Sequence, residues 1–342
     1  MIFRLQTKLF AIILLLSLYS CSQKTERLFK KQYFIFGTIV DVLIWDDDEN
    51  QVSTALEKVE AMLNSMHNQW HAWKPGRLLE INQSLRNGES IKLSDYESAF
   101  LQETQELSKQ SLNYFNPAIG ELINLWGFHT DNYPITTPPP TESQIEEYLR
   151  ETPTMQDLIV NGNLFSSKNT SIWLDFGGVA KGHAIDRAIE ILQTHNIKNA
   201  IVNAGGDLRS IGKKGQKDWK VAIRKPNSED VVAVIEVKGD ESIFTSGNYE
   251  RYKEFNGKRY AHIINPKTGY GIENIISSTV IAKNGTLADA AATALIIAED
   301  IDRKTIIKNL GLTQVLLIEE NGQCLYTKEM QKRIDLECGI IE

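Results

Sequence analysis

The chain has 342 residues, 42% of them hydrophobic, and a formal charge of -7. That length and apolar content suffice to bury a sizeable core in one large domain or two closely packed ones, which argues against a disordered chain. An acidic balance without long basic clusters argues against a duplex- or RNA-binding surface, and slightly favours a site where a metal reverses the local sign for an anionic ligand.

At the N-terminus Arg4 and Lys8 precede the apolar stretch Leu9–Leu18, which Tyr19-Ser20-Cys21 closes. The stretch is short for a bilayer span, and residues 1–20 have the parts of an export signal. Leu18-Tyr19-Ser20-Cys21 resembles a bacterial lipobox, although Tyr19 stands where a small residue is commoner. The resemblance implies cleavage before Cys21, lipidation of that cysteine, palmitate included, and an extracytoplasmic protein tethered to the lipid membrane. An ordinary signal peptide and an uncleaved anchor are the alternatives. Ser22 does not resemble an inner-membrane retention signal, which leaves the outer membrane open. Residues 21–32 read as a polar, basic tether before a domain over 33–335. Cys324 and Cys338 could form one disulfide in an oxidising compartment or stay as free structural thiols; neither reads as catalytic.

Tyr33–Trp45 reads as a strand interrupted at Phe36-Gly37-Thr38, where Gly37 allows a bulge or a close backbone approach. Leu56, Val59, Met62, Leu63, Met66 and Trp70 mark one helix face. Trp70–Leu78 is aromatic and then turn-like, either a packed Trp corner or a stacking edge for a planar ligand. Ser94 with Glu97 and Thr141 with Gln144 are capping boxes, the first starting a helix to about Asn113. Between them lie the helix-breaking Tyr114–Gly120, a helical piece at Glu121–Trp126 and a Pro-rich surface loop, Tyr133–Pro140. Leu158–Val160 and Leu164–Ser166 flank Asn161-Gly162-Asn163 as a hairpin, and Ile172–Phe176 reads as a further strand.

Gly177-Gly178 then opens into a helix over about Ala180–Thr194. The pair is either a simple tight turn or the start of a helix N-terminus that offers N–H groups to anionic oxygen. Ala200–Val202 and Leu208–Ile211 are strands around Asn203-Ala204-Gly205-Gly206-Asp207, and Trp219–Ile223, Val231–Val237 and Ser242–Thr245 continue the β pattern. Ligands commonly bind at such strand-end turns. His262 stands among apolar neighbours before the turn Asn265–Gly269, as a hydrogen-bonded core histidine or a functional one. Ser278–Ala282 is a strand, and Leu287–Ala298 is a buried helix of small residues. Asp289 near its start needs a partner or a metal, and Thr293 lies one turn on along the same face. The pair fits oxygen ligation of Mg2+, or a helix-dipole partner beside a back-bonded threonine. Val315–Ile318 and Cys324–Tyr326 form a closing hairpin before a charged tail.

Eight motifs occur in order: FGT at Phe36–Thr38, FNPAIG at Phe115–Gly120, LWGF at Leu125–Phe128, LDFGGVAKGHAID at Leu174–Asp186, NAGGD at Asn203–Asp207, TSGNYERY at Thr245–Tyr252, HIINPKTG at His262–Gly269 and ADAAATAL at Ala288–Leu295. As a set they resemble the ApbE-type FAD:protein FMN transferases over most of the chain after the export signal. The resemblance implies an α+β, T-fold-like mixed domain with antiparallel sheets and packed helices. It also implies Mg2+-dependent transfer of the FMN moiety of FAD to a Ser or Thr hydroxyl of an acceptor protein, with release of AMP. Mg2+ ligands would fall on the Gly178 carbonyl, Asp289 and Thr293. FAD contacts would fall on Phe36, Trp73, Ala118, Ile119, Gly120, Asp175, Lys181, Asn203, Gly205, Gly206, Ser246, His262 and Ile263. His262, Lys181 and Asp289 carry the implied catalytic roles. His262 orients or deprotonates the acceptor hydroxyl by proton exchange near neutral pH, unless a carboxylate is the base and His262 holds the phosphoryl group.

Asn116 stands where relatives often have Asp, and His71-Ala72 replaces a Ser-Thr-like pair. Implied partners are exported or membrane-associated flavoproteins with a Ser/Thr flavinylation site and the lipid membrane through Cys21, with no nucleic acid. The implied location is extracytoplasmic, on the periplasmic face in a Gram-negative cell. The competing readings are a Mg2+-dependent FAD pyrophosphatase and a non-catalytic FAD-binding lipoprotein.

Overall fold

The computed structural model describes residues 26–224, 230–249 and 251–341. The export signal, the lipobox and Cys21 lie outside the described residues. Arg27–Ile35 (β1) and Thr38–Asp46 (β2) pair as an antiparallel hairpin. Phe36 (φ 57°) and Gly37 (φ 72°) make its two-residue turn, with both residues in the left-handed conformation that matches strand twist. The expected single interrupted strand is therefore two strands, and β1 occupies residues 27–32 of the expected tether. Its mostly exposed residues carry no buried alternation to announce a strand.

The chain continues through helices Glu49–Gln69 (α1), Arg77–Arg86 (α2), Asp95–Gln110 (α3), Gly120–Leu125 (α4) and Glu142–Leu149 (α5). Strands Ile91–Lys92 (β3), Leu158–Asn161 (β4) and Leu164–Ser167 (β5) make a small sheet beside them. Both expected capping boxes form, at Ser94/Glu97 and Thr141/Gln144. Helix Ala180–Thr194 (α6) leads to β6 (Ala200–Ala204), β7 (Asp207–Ile211), β8 (Trp219–Arg224), β9 (Val231–Val237) and β10 (Glu241–Gly247). The remaining elements are β11 (Tyr252–Phe255), β12 (Lys258–Ala261), β13 (Ile275–Ala282), α7 (Gly285–Ile297), α8 (Asp300–Asn309), β14 (Gln314–Glu319), β15 (Cys324–Tyr326), α9 (Lys328–Gln331) and β16 (Gly339–Ile340).

The main sheet has nine strands in the order β1-β2-β6-β7-β10-β13-β14-β15-β16, antiparallel except for β15–β16. Both of its faces are buried, so strand residues divide alternately between two cores. Ala200, Val202, Phe244, Val280, Val315 and Leu317 join the core under α1, α6 and α7. Ile201, Ile243, Ile281, Leu316 and Ile318 join a second core with β8 and β9. Cys324 and Cys338 are disulfide-bonded, which with α9 and β16 gives structure to the expected charged tail. No helix among the described residues is long and apolar enough to cross a membrane.

Two small-residue surfaces bring α6 and α7 together. A Cβ on Gly182 would lie 2.3 Å from the Gly285 carbonyl oxygen, so only glycine permits this approach. The expected strand Ile172–Phe176 is extended but belongs to no sheet; it runs beside Pro117–Gly120 through the Trp173–Ile119 bridge and the bonds of Trp173 N–H to the Ala118 carbonyl, Gly120 N–H to the Trp173 carbonyl and Asp175 N–H to the Pro117 carbonyl. Between these bonds, the buried Asn82 amide donates to the Leu174 carbonyl (2.9 Å) and accepts from its N–H (2.7 Å).

Candidate active site

A cleft of about 1880 Å³ opens where the β1–β2 and β6–β7 turns lie side by side. The Gly205 N–H donates to the Ile39 carbonyl, and a Cβ on Gly205 (φ 68°) would lie 2.6 Å from Thr38 Oγ1. Glycine is thus required by conformation and by space. The Asn203 side chain accepts from the Gly206 N–H at 2.8 Å and shapes the second turn.

The wall opposite is the segment entering α6. Asp175 Oδ1 accepts from the Gly177 N–H (2.7 Å), and Oδ2 lies 2.8 Å from His129 Nε2. Burial pushes the Asp175 carboxyl up, but the His129 hydrogen bond and charge and the Gly177 N–H outweigh it and hold the carboxyl below the usual range. The His129 ring stacks on Trp73 at 4.6 Å and 14°. At the second residue of α6, Lys181 is ion-paired with Asp207, whose other oxygen accepts from the Thr245 N–H at 2.9 Å. The cation is thereby fixed at the cleft by the end of the NAGGD turn.

The helix N-terminus is mostly satisfied from within. Ala180 N–H donates to the Phe176 carbonyl, and Gly182 N–H donates to Asp289 Oδ2 at 2.9 Å. The anion at this terminus is thus the carboxylate of α7, a correction to the expectation of an open phosphate-receiving turn. Thr293 does not bond back along its own helix: its hydroxyl lies 3.5 Å from the Gly178 carbonyl and 3.2 Å from Ser246 Oγ. Gly178, Asp289 and Thr293 all line the cleft, and Asp289 is only 5% exposed. A carbonyl, a carboxylate and a hydroxyl form an all-oxygen donor set that suits a hard cation such as Mg2+. Among the described residues no group of three or more His, Cys, Asp or Glu offers a different metal site.

His262 lies across the cleft, its Nδ1 2.8 Å from the Arg251 carbonyl. A carbonyl only accepts, so Nδ1 carries the proton and Nε2 keeps its lone pair. Burial pushes the ring down to about 4, aided by the Arg251 and Lys181 charges and opposed by the carbonyl hydrogen bond. The ring is therefore neutral well below neutral pH, which corrects the expectation that it titrates near 7.

This geometry has recognisable relatives. The sequence pattern of the ApbE family matches residues 36–317. The chain belongs to the ApbE family. A curated FAD:protein FMN transferase of Rhodobacter capsulatus is 36% identical over 306 residues, covering 89% of this chain and 58% of that protein. The one of Haemophilus influenzae is 29% identical over 328 residues, covering 93% and 94%. The ApbE protein of Thermotoga maritima superposes with a TM-score of 0.82 at 26% identity, covering 91% of this chain and 100% of that one. The flavin transferase ApbE of Vibrio cholerae gives 0.77 at 25% identity, covering 90% and 100%. The expected α+β fold is thus the ApbE fold.

Of the residues assigned through the ApbE resemblance, the cleft is lined by Phe36, Ile119, Asp175, Gly178, Lys181, Asn203, Gly205, Gly206, Ser246, His262, Ile263, Asp289 and Thr293. Trp73, Ala118 and Gly120 are not on its wall. Trp73 stands behind Asp175, beyond His129. The Ala118 N–H donates to Asn116 Oδ1 and the Gly120 N–H to the Trp173 carbonyl, so these backbone donors already have internal acceptors. Asn116 also donates to the Pro153 carbonyl at 2.9 Å, a bond a carboxylate could not make, which explains the amide at this position. His71 packs its ring edge on Trp73, and the Ala72 carbonyl accepts from the Trp173 indole at 3.0 Å.

His129, Asp207 and Arg251 are the residues that sequence reasoning missed. His129 adjoins LWGF, Asp207 ends NAGGD and Arg251 lies within TSGNYERY, and that placement was the available signal.

Proposed function

We propose that this ApbE-family chain is an FAD:protein FMN transferase that moves FMN to a Ser or Thr hydroxyl of an acceptor protein and releases AMP. The observation that carries the proposal is the convergence on one cleft of a neutral histidine with a free Nε2 lone pair, a fixed lysine and an all-oxygen donor set. The curated relatives are named FAD:protein FMN transferases, which supports the transfer of FMN from FAD to a protein. The cleft exceeds the roughly 300–1,000 Å³ of common small-molecule pockets, consistent with a dinucleotide meeting a protein segment.

The acceptor hydroxyl oxygen bonds to the phosphorus on the FMN side of the pyrophosphate, and the bond from that phosphorus to the AMP oxygen breaks. The hydroxyl proton passes to His262 Nε2 while Nδ1–H stays on the Arg251 carbonyl, which resists the ring turning away. Lys181, held by Asp207, contributes positive charge as negative charge shifts toward the AMP phosphate. Gly178, Asp289 and Thr293 would hold Mg2+, which supplies further charge to the pyrophosphate oxygens. His262 suits the base role better than Asp175 or Asp207, whose oxygens already accept from His129 and Gly177 or from Lys181 and Thr245. Export and anchoring through Cys21 complete the proposal, and the Cys324–Cys338 disulfide supports an oxidising compartment.

The test incubates the chain from Ser22 with FAD, Mg2+ and exported proteins from a bacterium encoding it. The expected result is denaturation-resistant flavin fluorescence on an acceptor Ser or Thr, with one AMP per label. AMP and free FMN in equal amounts without labelling would identify a pyrophosphatase, and bound FAD without AMP a carrier; either result overturns the proposal.

A further inference from the structure

We infer that His129 and Arg251 are positioning residues for the nucleotide: together they hold the Asp175 carboxylate in the orientation that the ligand meets. The inference rests on the flavin-transfer reading only for the identity of that ligand.

The Asp175 side chain lies in the cleft wall and is 12% exposed. An unpaired carboxylate there would repel a pyrophosphate and would be free to rotate. Two donors prevent the rotation. Gly177 N–H fixes Oδ1, and His129, only 4% exposed in its side chain, fixes Oδ2 from behind. Stacking on Trp73 sets the plane of the imidazole, so Nε2 has one direction in which to point.

The backbone around His129 is set in turn by Arg251. One guanidinium nitrogen lies 2.7 Å from the Phe128 carbonyl and 3.4 Å from the Thr130 carbonyl, the carbonyls on either side of His129. The same residue receives His262 Nδ1–H on its own carbonyl. Arg251 thus serves the nucleotide side of the cleft through its side chain and the acceptor side through its main chain. A substitution removes the first role and leaves the second carbonyl in place.

The test measures the dissociation constant of FAD by equilibrium dialysis with Mg2+ present, on the chain from Ser22. The proteins are the parent, His129→Ala, His129→Gln, Arg251→Met and the double variant His129→Ala/Arg251→Met. Loss of a charge-assisted hydrogen bond on the ligand's wall should weaken binding by about tenfold to a hundredfold in His129→Ala. His129→Gln places an amide N–H near the Nε2 position and should recover most of that loss. Arg251→Met should weaken FAD in the same sense, and the double variant should be no weaker than its weaker parent, since both act through one carboxylate. FAD affinity unchanged in His129→Ala, no recovery with Gln in a protein of parental melting temperature, or additive losses would each overturn the inference. Failure of the parent chain to bind FAD would overturn the flavin-transfer reading instead. Because the Ala and Gln variants change one side chain at a cleft wall, their comparison decides the question even if Arg251→Met does not fold.

Discussion

A methyl group on Gly182 probes how α6 and α7 bring the oxygen donors of the cleft together. The added Cβ would lie 2.3 Å from the Gly285 carbonyl oxygen, 2.7 Å from its carbonyl carbon and 2.9 Å from Asp289 Cβ. Two of these are backbone atoms that cannot rotate aside, and the closest falls short of ordinary contact by about 1 Å. The helices must part, and over-packing of this kind costs about 3 kcal/mol. In a chain of 342 residues, at about 2.1 cal/mol/K of unfolding entropy per residue, that lowers the melting temperature by about 4 °C. Parting also stretches the Gly182 N–H bond to Asp289, now 2.9 Å, and moves Gly178 from Thr293. Gly182→Ala should therefore raise the Mg2+ concentration for half-maximal AMP release as well as lowering the melting temperature. Gly177→Ala is the control: its Cβ would meet only Asp175 Oδ1, at 3.1 Å, and the melting temperature should stay close to the parent's. Thermal unfolding followed by fluorescence, with a Mg2+ titration of AMP release, measures both effects. A Gly182→Ala protein with the parental melting temperature and Mg2+ dependence would refute the claim that glycine sets this helix spacing.

Three further outcomes follow from the same geometry. Asp289→Asn keeps an oxygen to accept from Gly182 but removes the charge, so Mg2+-dependent AMP release should fall by about a hundredfold with little change in melting temperature; retained activity at low Mg2+ would contradict the donor set. With His262 held at about 4 in the free protein, kcat/KM should be flat between about pH 5.5 and 7.5, and an inflection near 6.5 would show that the ring is not held as described. Burial, with the Arg187 charge, likewise pushes His183 down to about 4, where Tyr96 bonds its Nε2 at 2.7 Å. Because the unfolded chain binds that proton more readily, its contribution is present above about pH 6.5 and is lost as pH falls toward 4. The loss is up to about 3 kcal/mol, and urea unfolding across that range should lose this slope in His183→Gln.

What was legible in the sequence depended on how local the signal was. Helix α6 and the β4–β5 turn are marked by periodicity and glycine, and the capping boxes by residues three apart; all form as expected. Helix α2 begins immediately after Pro75-Gly76, and those turn residues hid it. Ile172–Phe176 has the apolar content of a strand, but its partners are the non-strand segment Pro117–Gly120 and the Asn82 amide, both distant in sequence and invisible to a pattern. The same limit applies at the cleft. Asp289 and Thr293 pair by helix spacing, but Gly178 meets them only because two helices pack through glycines, so its association with them came from family resemblance. His129 and Arg251 act through a carboxylate and two carbonyls contributed by other segments, and no local pattern encodes such partners.

The charges of the inner cleft explain why a divalent cation suits this arrangement. Asp175, Asp207 and Asp289 line the cleft with Lys181 and Arg251, and Asp41, Asp218, Lys214, Lys217, Lys220 and Arg224 line it as well, so the whole lining is close to neutral and the local pairing decides. Lys181 is engaged by Asp207, so it is not a free counter-charge for an incoming anion. A pyrophosphate would add two negative charges beside the Asp175, Asp207 and Asp289 carboxylates, in surroundings where burial strengthens repulsion. His262 cannot relieve this, because its ring is neutral. The His129 and Gly177 hydrogen bonds hold Asp175, while Asp289 is left to be balanced by the α6 N-terminus through Gly182, which supplies only partial charge. A divalent ion at Gly178, Asp289 and Thr293 would bring the occupied cleft close to balance. It would do so beside the helix terminus whose own N–H groups are mostly taken. Metal dependence of this kind should therefore fall on FAD binding as well as on turnover.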